Sequence, residues 1–164
     1  MAEFSVNAYR LDPYASWGFH VKWDGKIVPG ITRIGGLAWT TEALPFRNGA
    51  DPADTHVVPG LTTYAPLVLE RGRTHDTAFE DWANLVGAAT SPRSLKTFRK
   101  DVTIELLNEQ RSIVMAFRVL RCWPSHYSPL GPLDADANLL ALETLTLQNE
   151  GFERDTGVKE PAQT

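Results

Sequence analysis

The sequence predicts a mainly β fold, a packed antiparallel β-sandwich or barrel with one flanking α-helix at about residues 76–88. The first observation behind this is alternation: Trp17, Phe19, Val21 and Trp23 are separated by Gly18, His20 and Lys22, the period of a half-buried strand. The same period returns over residues 102–107 and 113–120. The second is that one stretch changes period. Phe79, Trp82, Val86 and Ala89 recur at helical spacing, while Glu80, Asp81 and Asn84 fall on the other side.

After the first strand, Asp24-Gly25 tolerates the positive φ of a tight hairpin turn, and Lys26 to Val28 returns as a short partner. Pro29-Gly30 ends that pairing, since proline offers no amide to a ladder. Residues 31–41 read as a strand bent or bulged at Gly35-Gly36. Residues 42–59 hold Pro45, Pro52 and Pro59 among glycine, asparagine and aspartate, and read as a long irregular loop. Leu67 to Leu69 form a strand that stops at Glu70-Arg71-Gly72.

In the helix that follows, Asp76 or Thr77 caps the first turn, and Thr77 with Glu80 has capping-box spacing. Phe79, Trp82 and Val86 are expected to pack against the sheets. Residues 88–93 make a linker. The alternating segments at 102–107 and 113–120 pair through a turn at Asn108-Glu109, Trp123-Pro124 ends the second, and residues 125–137 form another loop. In the last strand, residues 139–147, Leu140 and Leu142 have one parity and Leu145 and Leu147 the other. That asks for a bulge near Glu143 or for cover on both faces. A single domain, residues 1–152, is expected, with a flexible tail at 153–164.

A net charge of -4 argues against nucleic acid as the main partner, because phosphate binding rests on clustered Lys and Arg. The single cysteine, Cys122, forms no disulfide within the chain and reads as a small buried hydrophobe. The first residues, MAEFSVNAYR, lack a signal peptide's apolar run, so cytoplasmic synthesis is expected. No run approaches the roughly 18 apolar residues of a membrane span. His20, His56, His75 and His126 have no metal-ligand spacing, the serines lack a nucleophile elbow, and Gly30 to Gly36 lacks phosphate-loop spacing. No enzyme, metal or cofactor is expected.

Together the elements resemble the tail tube proteins of contractile phages and the inner tube subunits of related contractile injection systems. The resemblance lies in Phe19-His20-Val21-Lys22-Trp23-Asp24-Gly25, Val28-Pro29-Gly30, Gly36-Leu37, Glu42 and Phe46-Arg47-Asn48-Gly49. It continues through Pro59-Gly60, Leu69-Glu70-Arg71-Gly72, Asp76, Phe79 and Trp82, then Trp123-Pro124, Tyr127, Glu143 and Glu150-Gly151-Phe152. Phe46 departs from a frequent tyrosine, which removes a hydroxyl.

The resemblance implies hexameric rings stacked into a hollow tube around a length-determining tape-measure protein, started at a baseplate or tube initiator, open to lumen cargo, and wrapped by a sheath whose contraction drives it into a target. The chain would then end in a phage tail or phage-tail-like particle, released or not. Two alternatives stay open: a secreted ring-forming carrier of a type VI-like system, and a monomeric β-barrel ligand-binding protein. On the tube reading, Glu42, Phe46, Arg47, Asp51 and Asp54 of the long loop are expected at the contact between rings, and Glu80, Asp81 and Asn84 of the helix to face the sheath.

Overall fold

Phe19 to Trp23 form strand β1 (Phe19–Trp23), with Val21 and Trp23 buried, in a computed structural model that describes residues 14–87 and 97–159. Asp24 and Gly25 follow with φ of 53° and 72°, the pair of left-handed residues that a two-residue hairpin needs, and lead to β2 (Lys26–Ile27). The remaining elements are β3 (Ile31–Ile34), β4 (Trp39–Asn48), β5 (Asp51–Tyr64), β6 (Leu67–Gly72), α1 (Ala78–Gly87), β7 (Lys100–Leu107), β8 (Ile113–Ser128), β9 (Leu142–Gln148) and β10 (Phe152–Arg154). Among the described residues, eight strands join in one antiparallel sheet, ordered β2-β1-β7-β8-β9-β6-β3 with β10 also on β8, while β4 and β5 pair with each other alone.

Strand β8 bends the sheet. From Ile113 to Cys122 it pairs with β7, and from Trp123 to Ser128 with β9. Between these halves Arg121 takes a φ of 50°. The Arg121 amide donates to Asp101 Oδ1 at 3.0 Å, and Arg118 Nη2 to Asp101 Oδ2 at 2.7 Å. The Arg121 amide first, then the Arg118 guanidinium, hold the Asp101 carboxyl below the usual carboxylate range. The bend brings Val21 and Val102 from one half into a single core with Leu69 and Leu145 from the other, and Phe79 and Trp82 of α1 fill it. Cys122 lies in that core, its thiol pushed up to about 12 by burial.

Several expectations need correction. Residues 42–59 are not irregular: they are most of the β4–β5 hairpin, whose prolines sit at strand positions of a two-stranded ribbon with free edges, where a missing amide costs little. Residues 31–41 are two strands, because the chain leaves the main sheet at Gly35 and enters the ribbon at Trp39. Trp123-Pro124 does not end β8; the register shifts between Pro124 and His126 and pairing continues. Leu140 stays outside β9, so no bulge is needed: Glu143, Leu145 and Leu147 share one buried face.

In α1 the buried residues are Phe79, Trp82 and Ala83, and Leu85 packs against the core where Val86 was expected. Val86 is only half-buried. Asp76 Oδ1 accepts from the Ala78 amide at 2.9 Å, and Thr77 Oγ1 donates to Asp81 Oδ2 in place of a bond to Glu80. The linker at residues 88–93 lies outside the described residues. Glu153 and Arg154, assigned above to a tail, pair with Arg118 and Phe117 of β8.

Trp82 is 1% exposed, lies 5.0 Å from the Trp23 ring, and donates its indole N–H to the Phe98 carbonyl at 2.7 Å. Trp82→Ala is expected to cost about 3–5 kcal/mol through the cavity and the orphaned carbonyl. A thermal or denaturant melt measures this, and an unchanged midpoint contradicts the packing described.

Candidate functional site

Strand β6 continues directly from the hairpin, and its buried face reads Leu67, Leu69, Arg71. An arginine on that face is tolerable only with its charge and donors satisfied. Cross-strand pairing supplies the partner, because Arg71 stands opposite Glu143 of β9 and both are fully buried. Arg71 Nε donates to Glu143 Oε2 at 2.7 Å, Nη1 to Asp76 Oδ1 at 2.7 Å, and Nη2 to the Asp76 carbonyl at 2.7 Å. Its guanidinium also lies 4.1 Å over the Phe79 ring. One side chain thus ties β6 to β9 and to the start of α1.

The other Glu143 oxygen, Oε1, accepts from Arg73 Nη1 and from Tyr127 Oη, each at 2.7 Å. Burial first, then the hydrogen bond to Glu143, push the Tyr127 hydroxyl up to about 12, so it stays a donor. The Arg71 hydrogen bond and then the Ala78 amide hold Asp76 below its usual range. This network is structural: it builds the platform that carries the hairpin.

The hairpin itself is exposed along nearly its whole length. Cross-strand partners share a face, so Ala43, Pro45 and Arg47 lie on one side with Pro59, Val57 and Thr55. Leu44 and Phe46 lie on the other with Val58 and His56, the Phe46 and His56 rings 5.5 Å apart. Apolar side chains therefore stand on both faces, with Phe46 48% and Val57 64% exposed. At the base, the Tyr64 ring packs over Gly151, where the φ of 136° and the close approach favour glycine, and Asn149 Nδ2 donates to the Ala65 carbonyl at 2.9 Å.

Of the residues expected between rings, Glu42, Phe46, Arg47 and Asp54 are all exposed on this hairpin, and Asp51 opens β5 opposite Asn48. The structure gathers them on a ribbon rather than a loop. Of the helix residues, Asp81 and Asn84 are exposed and Glu80 is half-buried, 3.7 Å from Arg73 Nη2. The Arg71–Glu143 pair went unassigned in the sequence reading; period-two spacing in Leu67-x-Leu69-x-Arg71 and Glu143-x-Leu145-x-Leu147 was its only signal. Among the described residues no group of three or more His, Cys, Asp or Glu is placed to hold a metal ion, and no helix is long and apolar enough to cross a membrane.

The described residues thus form a bent antiparallel sheet with one packed helix and a projecting two-stranded ribbon. Residues 15–153 match the model of the T4-like virus tail tube protein gp19 family, and the chain belongs to that family. No curated protein sequence gives a match. Among solved structures, the chain is similar to one from the PVC sheath-tube complex of an extracellular contractile injection system, at 21% identity and a TM-score of 0.73 over 89% of this chain and 93% of that one. A chain of the anti-feeding prophage cap is similar at 22% identity and a TM-score of 0.75, covering 95% and 99%. Hcp1 from Flavobacterium johnsoniae shares the fold at 12% identity and a TM-score of 0.56, covering 87% and 98%. The function is that of a tail tube protein.

Glu143→Ala leaves the Arg71 charge buried against a void and is expected to destabilise the fold by about 3–5 kcal/mol. Glu143→Gln keeps the shape and is expected to cost less. Asp76 adds an acid dependence whose sign follows from its lowered folded-state pKa. Its contribution is complete above the unfolded carboxylate value of about 4 and is lost as pH falls through the lower folded value. Chemical denaturation of the wild type and Asp76→Asn between neutral and acidic pH measures this. The two curves are expected to converge at the acid end, and a constant gap contradicts the assignment.

Proposed function

We propose that copies of this chain close into hexameric rings, that the rings stack into the hollow inner tube of a contractile tail or injection system, and that the β4–β5 hairpin makes the contact between rings. The observation that carries this is the hairpin's exposure: a ribbon with apolar residues on both faces is a surface that another copy of the chain would cover. Its strands are stiffened by Pro45, Pro52 and Pro59, so docking orders less chain than a glycine-rich loop of equal length does. The outer face of α1, with Glu80, Asp81 and Asn84, is placed toward the sheath. Baseplate or initiator, tape measure and lumen cargo complete the set of partners. No catalytic step belongs to this role.

Replacing residues 48–56 by a short Gly-Ser link is expected to abolish tubes in negative stain while leaving folded rings. Tubes of normal length and stability would show that stacking is carried elsewhere. For the sheath face, Glu80→Lys with Asp81→Lys is expected to weaken sheath binding in a manner that fades with salt, since exposed charges are screened beyond about 10 Å at 0.1 M. Sheath binding that survives the double reversal, at an unchanged melting temperature, sinks that assignment.

A further inference from the structure

Among the described residues, the loop between β8 and β9, residues 129–141, is a further exposed apolar surface. Leu133, Leu139 and Leu140 are 69%, 77% and 81% exposed, and with Pro132, Ala135 and Ala141 they line a groove of about 380 Å³. The groove carries Asp134, and Asp136 lies two residues further on; both are exposed, and neither has an ion-pair partner among the described residues. The Gly131 amide donates to the Leu142 carbonyl at 2.8 Å, which fixes the base of the loop at the start of β9. The surface is thus apolar with an acidic rim.

One face of the hairpin has the complementary character. Among Ala43, Pro45, Arg47, Thr55, Val57 and Pro59, Arg47 is the only charged residue, and it too has no ion-pair partner among the described residues. Among the described residues, the opposite hairpin face, with Leu44, Phe46, His56 and Val58, carries no Lys or Arg. The strand register adds a direction. Leu67, just after the hairpin, pairs with Leu147 at the far end of β9, whereas Gly72 pairs with Leu142 beside the leucine loop. The two surfaces therefore leave opposite ends of the β6–β9 pair, roughly 17 Å apart along the strand. The hairpin reaches roughly 24 Å from Trp39 to Phe46. A surface at one end that fits a different surface at the other end makes a head-to-tail contact, which repeats as an open stack wherever the rotation between copies does not close a ring.

We infer that the Arg47 face of the hairpin of one copy docks on the leucine loop of the copy stacked against it, with Arg47 set between Asp134 and Asp136 and Val57 against the leucines. This rests on the stacking role given above to the hairpin and names the surface that receives it. Asp134, whose Oδ1 already accepts from the Asp136 amide at 3.0 Å, and Asp136 offer negative charge that meets the Arg47 guanidinium and sets the register, and the apolar contact supplies the cohesion.

The test is reciprocal charge reversal in the full chain, read as sedimentable tube at low salt, with circular dichroism confirming the fold of each variant. Arg47→Glu alone, and Asp134→Arg with Asp136→Arg, are each expected to lose tubes, and the combined variant to regain them. In parallel, Val57→Cys and Leu140→Cys subunits are purified separately and mixed with a short bismaleimide. A cross-linked dimer is expected from the mixture and from neither variant alone. If Gly-Ser replacement of the hairpin removes tubes but reversal at Asp134 and Asp136 does not, and the mixture gives no dimer, the receiving surface is overturned while the hairpin's stacking role stands. If hairpin replacement itself leaves tubes intact, both fall.

Discussion

Between Trp39 and Tyr64 the chain makes a ribbon whose strands, among the described residues, pair only with each other, with Leu44 and Phe46 on one face and Pro45 and Val57 on the other. Burying such side chains stabilises by about 25 cal/mol per Å², and the chain that carries them leaves this gain unused. Two-stranded ribbons are marginal alone in water, so this one depends on a firm base, and the proposed stacking would add an external partner. The rest of the molecule meets the first need.

The base is firm because of Arg71. Only two residues, Ala65 and Pro66, separate the hairpin from β6, and Arg71 near the end of β6 is bound to Glu143, to Asp76 and to the Phe79 ring. An apolar pair of similar volume could fill the same space, yet it would not tie the strand to the helix cap through directed bonds. Tyr64 on Gly151 and Asn149 on Ala65 lock the other side of the junction. The ribbon thus projects from a rigid platform, the condition under which an interface residue is presented at a defined place.

Much of this was legible in the residues. The alternation of Phe19, Val21 and Trp23, the Asp24-Gly25 turn and the Phe79/Trp82 helix face all appear as read, because local chemistry decides each of them. The hairpin was not legible as strand. Pro45, Pro52 and Pro59 argue against a central strand, and a two-stranded ribbon, in which both strands are edges, accepts them. Val86 was misplaced because the helix presents Ala83 and Leu85 to the core, a small rotation that periodicity does not resolve. Arg71 and Glu143 each look like ordinary charged residues, and they become a pair only once the register of β6 on β9 is known.

The claim that the ribbon is completed by another copy is tested most directly by amide hydrogen exchange on soluble subunit and assembled tube, followed peptide by peptide. Assembly is expected to slow exchange several-fold across residues 43–47 and 55–61, with little change in the β6 and β9 core peptides, which are already protected. Hairpin amides that exchange equally fast in both states would contradict the account.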